Sequence, residues 1–489
     1  LRYTNPILYG DYSDPDVIRV KDDFYMISSS FTYFPGLPVL HSRDLVHWEL
    51  ISYACRRLPF SSYGSPRHSC GIWAPSLRYH DGRFFIYVCT PDEGLFCFNA
   101  RDPAGEWEMH HVLDVTGWID PCPLFDNDGN AYLVHAFAAS RIGINNLLYI
   151  HKMSADGLRI LDKGRLVING ADYGDVTIEG PKLYKRNGTY WILCPAGGVE
   201  GGVQLAFRSE NIYGPYEKKV VLAQGDTDVN GPHQGGWTDD GKGGDWFIHF
   251  QDKAAYGRVP HLQPVIWKDN WPVMGANGQP VTAGITPFEP FAASVPTSDD
   301  FANGLSLQWQ WQANPQEAWF KELKPGLRLY CVPCENLFTA GSFLSQLMQS
   351  PDFDFDVSVR LHACEEDRIG AGMMGYTYYY LYANGNYVRL IKGEAVRAGR
   401  RETPSVTETV LAEIPFDSDR LFIRMRVRQA QVSFLYGERQ DDLSPIGDEF
   451  PMCAGGWTGA RPGIFAFSRP GPGGGCGDFE YVRVSPVTD

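Results

Sequence analysis

A hairpin written five times constrains this chain more than any other feature in it. The clearest copy runs from Glu179-Gly180-Pro181 through Lys182-Leu183-Tyr184 to Asn187-Gly188 and on to Tyr190-Trp191-Ile192-Leu193. Alternating apolar residues enter an Asn-Gly pair, the strongest short-range signal for a two-residue turn, and an aromatic, β-prone strand leaves it. Four stretches follow the same plan. Asp14-Pro15-Asp16 leads to Asp22-Asp23, Trp73-Ala74-Pro75 to Asp81-Gly82, Asp120-Pro121-Cys122 to Asp128-Gly129, and His233-Gln234-Gly235-Gly236 to Asp240-Gly241. Lead residues recur every 47 to 59 positions, at 14, 73, 120, 179 and 233, and in the first four copies the turn residue falls eight places later. A second landmark closes the units, as in His41-Ser42-Arg43-Asp44-Leu45 to Trp48-Glu49, Asn99-Ala100-Arg101-Asp102 to Trp107-Glu108, and Arg208-Ser209-Glu210-Asn211 to Tyr216-Glu217. Two landmarks in fixed order at this period predict a five-bladed β-propeller.

A propeller sets its sheets radially around a central channel, so equivalent positions at the start of each innermost strand converge on one axis. Asp14, Trp73, Asp120, Glu179 and His233 are therefore expected to be neighbours. Three carboxylates, an indole and an imidazole then share one pocket. Arg258, in the loop Tyr256-Gly257-Arg258-Val259-Pro260-His261 of the fifth unit, is expected to reach into it, because loops on a rigid scaffold are where binding residues concentrate. The glycine- and proline-rich loops Phe31 to Gly36 and Ala196 to Gly202 belong to the same group.

Residues 1–286 carry the repeats, and the proline-punctuated segment 287–298 reads as a linker. From 299 to 489 the texture changes to strand-like runs such as Phe355 to Leu361, Tyr376 to Tyr382 and Leu421 to Val427, with turns such as Asn384-Gly385. That is the pattern of an antiparallel β-sandwich. Helical periodicity is scarce, so the fold class is all-β. A chain of 489 residues, 44% hydrophobic, has material for two cores.

Several classes are excluded. The formal charge of −15, with no basic stripe, argues against nucleic acid. No stretch approaches the ~20 apolar residues of a membrane span, and Leu1 does not open on a charged segment followed by an apolar run, which is expected of a cytosolic chain or of one whose signal has been removed. No membrane partner is expected; oligomerisation is left open. Eleven cysteines without metal-type spacing lean toward a reducing compartment rather than a disulfide framework. Cys331-Val332-Pro333-Cys334 lacks the second pair that a zinc ribbon needs.

Cleavage of a glycosidic bond needs two carboxyl groups in opposite protonation states, one to protonate the leaving oxygen and one to activate water or attack. Glu179, with the longer reach, is the expected general acid and Asp14 the base. Asp120 is the neighbour whose charge holds the acid's pKa up and orients it. Carboxylates from blades on different sides of an axis are expected to stand ~6.5–9.5 Å apart, which leaves room for a water and predicts inversion. An Asp before Pro is also a common turn former; the matched register of Asp14 and Asp120 is what makes them a site. Trp73 offers an apolar face to a sugar ring, with a buried propeller indole as the plain alternative. His233 is grouped with the expected substrate-binding residues, and its imidazole has three readings: electrostatic tuning, water-mediated binding of a cation, or a hydrogen-bonded core histidine. The chemistry requires no cofactor, and calcium near His233 or in the sandwich domain is the one ion left open.

Asp14-Pro15-Asp16-Val17-Ile18-Arg19-Val20, the Phe31 to Pro38 loop with His41-Ser42-Arg43-Asp44-Leu45, Trp73-Ala74-Pro75, Ile119-Asp120-Pro121, Ile178-Glu179-Gly180-Pro181 and His233-Gln234-Gly235-Gly236 together resemble glycoside hydrolase family 43. The resemblance spans all five blades. It implies a five-bladed propeller and an inverting mechanism in which base, pKa-modulating carboxylate and acid fall on Asp14, Asp120 and Glu179. The segment from Phe301 to Val484 is similar to the concanavalin-A-like sandwich, a jelly roll, that follows the propeller in β-xylosidase members. By the same resemblance, Phe31 and Trp73 shape the sugar subsite and Arg258 binds sugar hydroxyls. The loops Ala196-Gly197-Gly198 and Gly257-Arg258-Val259-Pro260-His261 depart from the best-known xylosidase forms, which leaves the sugar open. The expected activity is exo-acting release of terminal xylose from xylo-oligosaccharides, with α-L-arabinofuranosidase or bifunctional action as the alternative. A lectin-like, sugar-binding propeller is the non-catalytic rival, and it leaves a complete set of carboxylates unexplained.

Overall fold

Five four-stranded antiparallel sheets follow one another along the first part of the chain. A computed structural model describes residues 1–397, 404–470 and 474–487. The first blade comprises Asp16–Val20, Asp23–Ile27, Gly36–Ser42 and Glu49–Cys55, and the second Ser76–His80, Arg83–Thr90, Gly94–Ala100 and Glu108–Leu113. The third runs through Trp118–Phe125, Ala131–Phe137, Leu147–Met153 and Arg165–Asn169, and the fourth through Lys182–Arg186, Thr189–Ala196, Val203–Ser209 and Glu217–Leu222. His233–Asp239, Asp245–Asp252, Arg258–Lys268 and Trp271–Met274 complete the fifth. Within each blade, strands pair in chain order.

Each sheet is covered on both faces by its neighbours, which is why the middle strands read as almost continuously apolar. Ile27 and Val39 of the first blade pack on Leu77, Ile86 and Phe96 of the second. Ile119, Val134 and Ile150 of the third meet Leu183, Ile192 and Leu205 of the fourth. The ring closes where Asp16–Val20 meets His233–Asp239, with Arg19 and Asp239 paired at 2.6 Å. Gly236 is required at this seam: a Cβ there would stand 2.4 Å from Asp16 Oδ1 and 2.6 Å from the Val17 nitrogen. Outside the blades, Arg2–Thr4 pairs with Ala283–Ile285.

Strand pairing corrects the repeat register by one residue. Asp16 pairs with Ile27, Ser76 with Tyr87, Cys122 with Val134, Lys182 with Leu193 and Gly236 with Ile248. Counting back two places aligns Asp14 with Ala74, Asp120, Gly180 and Gln234. Trp73, Glu179 and His233 stand one position earlier. The backbone agrees, since Asp14 (φ 55°), Asp120 (φ 56°), Gly180 (φ 56°) and Gln234 (φ 37°) all turn through the left-handed region. Only short polar side chains and glycine enter that region readily. The chain bends toward the axis there, and the lead side chain falls either on the bend or just before it. The tight turn at Asn187 (φ 51°) and Gly188 (φ 82°) has the two positive φ values that such hairpins demand.

Segment 287–298 has no regular secondary structure. Beyond it, two stacked sheets of eight and seven strands, antiparallel except where Val332–Pro333 runs parallel to Arg461–Ser468, form the sandwich, closed over a core that includes Phe355, Val357, Ile423, Met425, Leu381 and Ile464. The sandwich docks on the propeller largely through main-chain groups. Phe34 and Trp311 exchange N–H to carbonyl bonds (2.9 and 2.6 Å). Asn314 bonds both the Leu58 nitrogen and its carbonyl, and Gln310 donates to the Pro35 carbonyl. Among the described residues the only α-helix is Ala139–Ile142, and all eleven cysteines are free.

Candidate active site

The bends at the inner strand ends deliver Asp14, Asp120 and Glu179 to one pocket of about 90 Å³, lined also by Phe31, Trp73, Ala74, Ile119, Gln234, Arg258 and Trp457. That is small beside the ~300–1,000 Å³ of drug-sized ligand sites, so it accommodates one small ring rather than a polymer chain. Asp14 sits deep. Its Oδ2 accepts from the hydroxyls of Ser13 (3.0 Å) and Ser29 (2.8 Å), and its Oδ1 from Arg258 Nη1 (3.2 Å). All three of these neighbours donate, so both carboxylate oxygens act as acceptors.

Asp120, from the third blade, and Glu179, from the fourth, are direct neighbours because the Gly180 N–H donates to Asp120 Oδ2 at 2.7 Å. The absence of a side chain at Gly180 matters twice: its φ is 56°, and a Cβ would collide with Gln234 at 2.6 Å. Burial, then the negative charges of Glu179 and Asp14, push Asp120 well above the usual carboxylate range, against the Gly180 N–H and Lys182. Like-charge repulsion adds to burial in raising Asp120 within this set of three carboxylates. Glu179 is its accessible member, with 29% of its side chain exposed. An accessible carboxyl adjoining a buried neighbour that holds protons is equipped to act as a proton donor.

His233 stands behind Glu179 rather than on the pocket wall. It is 1% exposed and its Nε2 lies 3.2 Å from Glu179 Oε1. This geometry favours tuning and orientation of Glu179 over direct contact with a sugar. The imidazole does not by itself make a calcium site. Among the described residues, in propeller or sandwich, no group of three or more His, Cys, Asp or Glu side chains is placed to hold a metal ion.

Phe31 is 4% exposed, with φ at 50°, and is fixed by a bridge to Ile72. Trp73 lies under the Arg141 guanidinium, 5.0 Å from the ring centroid. Arg258 is held over Phe250 (4.9 Å) and bonded to Ser13 as well as Asp14. Four pocket residues, Ala74, Ile119, Gln234 and Trp457, are not among the expected site residues, and two of them carry polar or aromatic side chains. Gln234 occupies the fifth blade's equivalent of Asp14, and its buried Nε2 has no partner among the described residues. Its place in the repeat was a usable signal once the register is corrected. Trp457 comes from the sandwich, meets Trp73 edge to face at 6.5 Å and lies 5.7 Å from the Arg258 guanidinium. Nothing in the blade repeat points to it.

This geometry can be set beside known proteins. The model for Glycosyl hydrolases family 43 matches residues 3–272, and that for the Beta xylosidase C-terminal Concanavalin A-like domain matches 298–485. A protein of Xylanibacter ruminicola whose name carries the term beta-xylosidase is 36% identical over 475 residues, 94% of this chain and 85% of that one. A non-reducing end alpha-L-arabinofuranosidase from Bacteroides ovatus is 28% identical, over 98% of this chain and 94% of that one. The solved structure of a bifunctional GH43-CE protein from Bacteroides eggerthii aligns at 26% identity with a TM-score of 0.87, over 99% of this chain and 64% of that one.

Proposed function

Because the chain belongs to glycosyl hydrolase family 43, we propose that it is an exo-acting, inverting β-D-xylosidase that removes terminal xylose from xylo-oligosaccharides. One observation carries this reading: three carboxylates from the first, third and fourth blades face one small pocket, and only Glu179 is accessible. Glu179 protonates the departing glycosidic oxygen. Asp14, aligned by Ser13, Ser29 and Arg258, takes a proton from the water that attacks the anomeric carbon from the opposite face. Asp120, pinned by the Gly180 N–H, orients Glu179 and keeps the acid side of the pocket supplied with a proton. In support of inversion, Asp14 and Glu179 lie on non-adjacent blades and, among the described residues, share no hydrogen-bond partner. Arg258 binds sugar hydroxyls, while Phe31 and Trp73 shape the ring subsite.

A second reading, α-L-arabinofuranosidase or dual action, has specific support. The Bacteroides ovatus relative carries that name and covers nearly the whole chain, and both sugars present a small pentose ring to the same pocket. Comparing kcat/KM on aryl β-D-xyloside and aryl α-L-arabinofuranoside tests the choice. The first reading predicts the higher value on the xyloside. A preference for the arabinofuranoside supports the second, and turnover of neither removes both.

A further inference from the structure

Asp11 lies upstream of the first blade, outside the repeat, and is 8% exposed. Its Oδ1 accepts the Arg258 N–H and its Oδ2 accepts the Gly459 N–H, both at 2.8 Å. Arg258 opens a strand of the fifth blade and Gly459 is two residues from Trp457, so one carboxylate joins the two parts of the molecule whose side chains meet over the pocket. The contact is close-fitting. A Cβ on Gly257 would stand 2.4 Å from Asp11 Cγ, and one on Gly459 would stand 2.7 Å from the Gly257 nitrogen. The adjacent Ala460 N–H donates to the Ala255 carbonyl at 2.7 Å, which continues the junction by one more bond. Downstream of this clasp, Arg258 Nη1 bonds Asp14 and its guanidinium lies against Trp457.

We propose that Asp11 is a positioning residue that couples docking of the sandwich to the sugar subsite, holding Arg258 and Trp457 in register with each other and with Asp14. A buried carboxylate with both oxygens engaged by backbone donors on different domains cannot be replaced by its amide without loss. Asparagine offers one acceptor and one donor, so one of the two N–H groups then faces another N–H. The side chain does not touch the reacting atoms; it acts through Arg258 and Trp457, which line the pocket.

The test compares wild type, Asp11→Asn, Trp457→Ala and the double variant. Its kinetic arm rests on the glycosidase reading and uses whichever aryl glycoside the wild type turns over. Its structural arm, hydrogen exchange of peptides spanning 255–260 and 453–461, needs no activity. Asp11→Asn is expected to speed exchange in both peptides and to lower kcat/KM about 10-fold, mainly through KM. A merely structural defect reduces the folded fraction, which lowers apparent kcat and leaves KM unchanged. In the double variant, the loss should fall well short of the product of the single losses, because the two residues act as one unit. Unchanged exchange in both peptides, an unchanged KM, or fully multiplicative losses each overturn the proposal. If the wild type cleaves neither glycoside, the activity reading fails while the exchange arm still judges the clasp.

Discussion

Burial together with bonding partners distinguishes three chemically similar side chains. Asp120 is enclosed, and its carboxyl is pushed well above its ordinary value by burial and by the charges of Glu179 and Asp14. An acid whose folded pKa lies above its unfolded one contributes most to stability at low pH, and that contribution is lost as pH rises through the folded value. Asp120→Asn keeps the neutral shape without that liability. Its Tm should therefore exceed that of wild type by a margin that grows from about pH 4 to pH 8, while turnover of oligosaccharides is lost. A margin independent of pH would contradict the assignment. Glu179→Gln should abolish turnover of natural oligosaccharides in the same assay without a comparable gain in stability. At this scale the carboxylates were legible because each stands in a short motif at a repeated position. Trp457 was not, because a single indole in a sandwich loop carries no periodic signal and only docking gives it a neighbour.

Between neighbouring strands, the sequence speaks through turns and glycines. The Asn187-Gly188 and Asp81-Gly82 hairpins were readable because their φ values admit few other residues. The one-residue slip among the lead positions was not readable, since Trp73 and Glu179 occupy the place before the bend while Asp14 and Asp120 occupy the bend itself. Conserved turn spacing conceals that difference, whereas ladder pairing exposes it. Gly236 makes the seam between first and last blades a specific test. Gly236→Ala forces a Cβ onto Asp16 and the Val17 backbone, an overpacking that costs about 1–3 kcal/mol or more. Thermal unfolding should show a Tm several degrees lower, and an unchanged Tm would mean that the ring does not close there as described.

Across the whole molecule, buried imidazoles set the response to acid. His135 and His249 are held down, to about 3 and 4, and His261 well below its ordinary value, in every case chiefly by burial. A base buried neutral contributes stability that is fully present above its unfolded value of about 6.5 and is lost as pH falls toward the folded value, at up to roughly 1.4 kcal/mol per pH unit for each group. The urea midpoint should therefore drop steadily from pH 7 to pH 5, and a flat profile would contradict the burial of these rings. The sandwich itself could be read from its strand alternation, but not its docking, because the Phe34–Trp311 and Asp11–Gly459 contacts engage backbone groups that every sequence possesses. The central claim is that the ring sets Asp14 and Glu179 on either side of one sugar, with water between. Proton NMR of xylose released in the first turnovers of an aryl β-xyloside tests it most directly: the account predicts the α-anomer, and initial release of the β-anomer would contradict it.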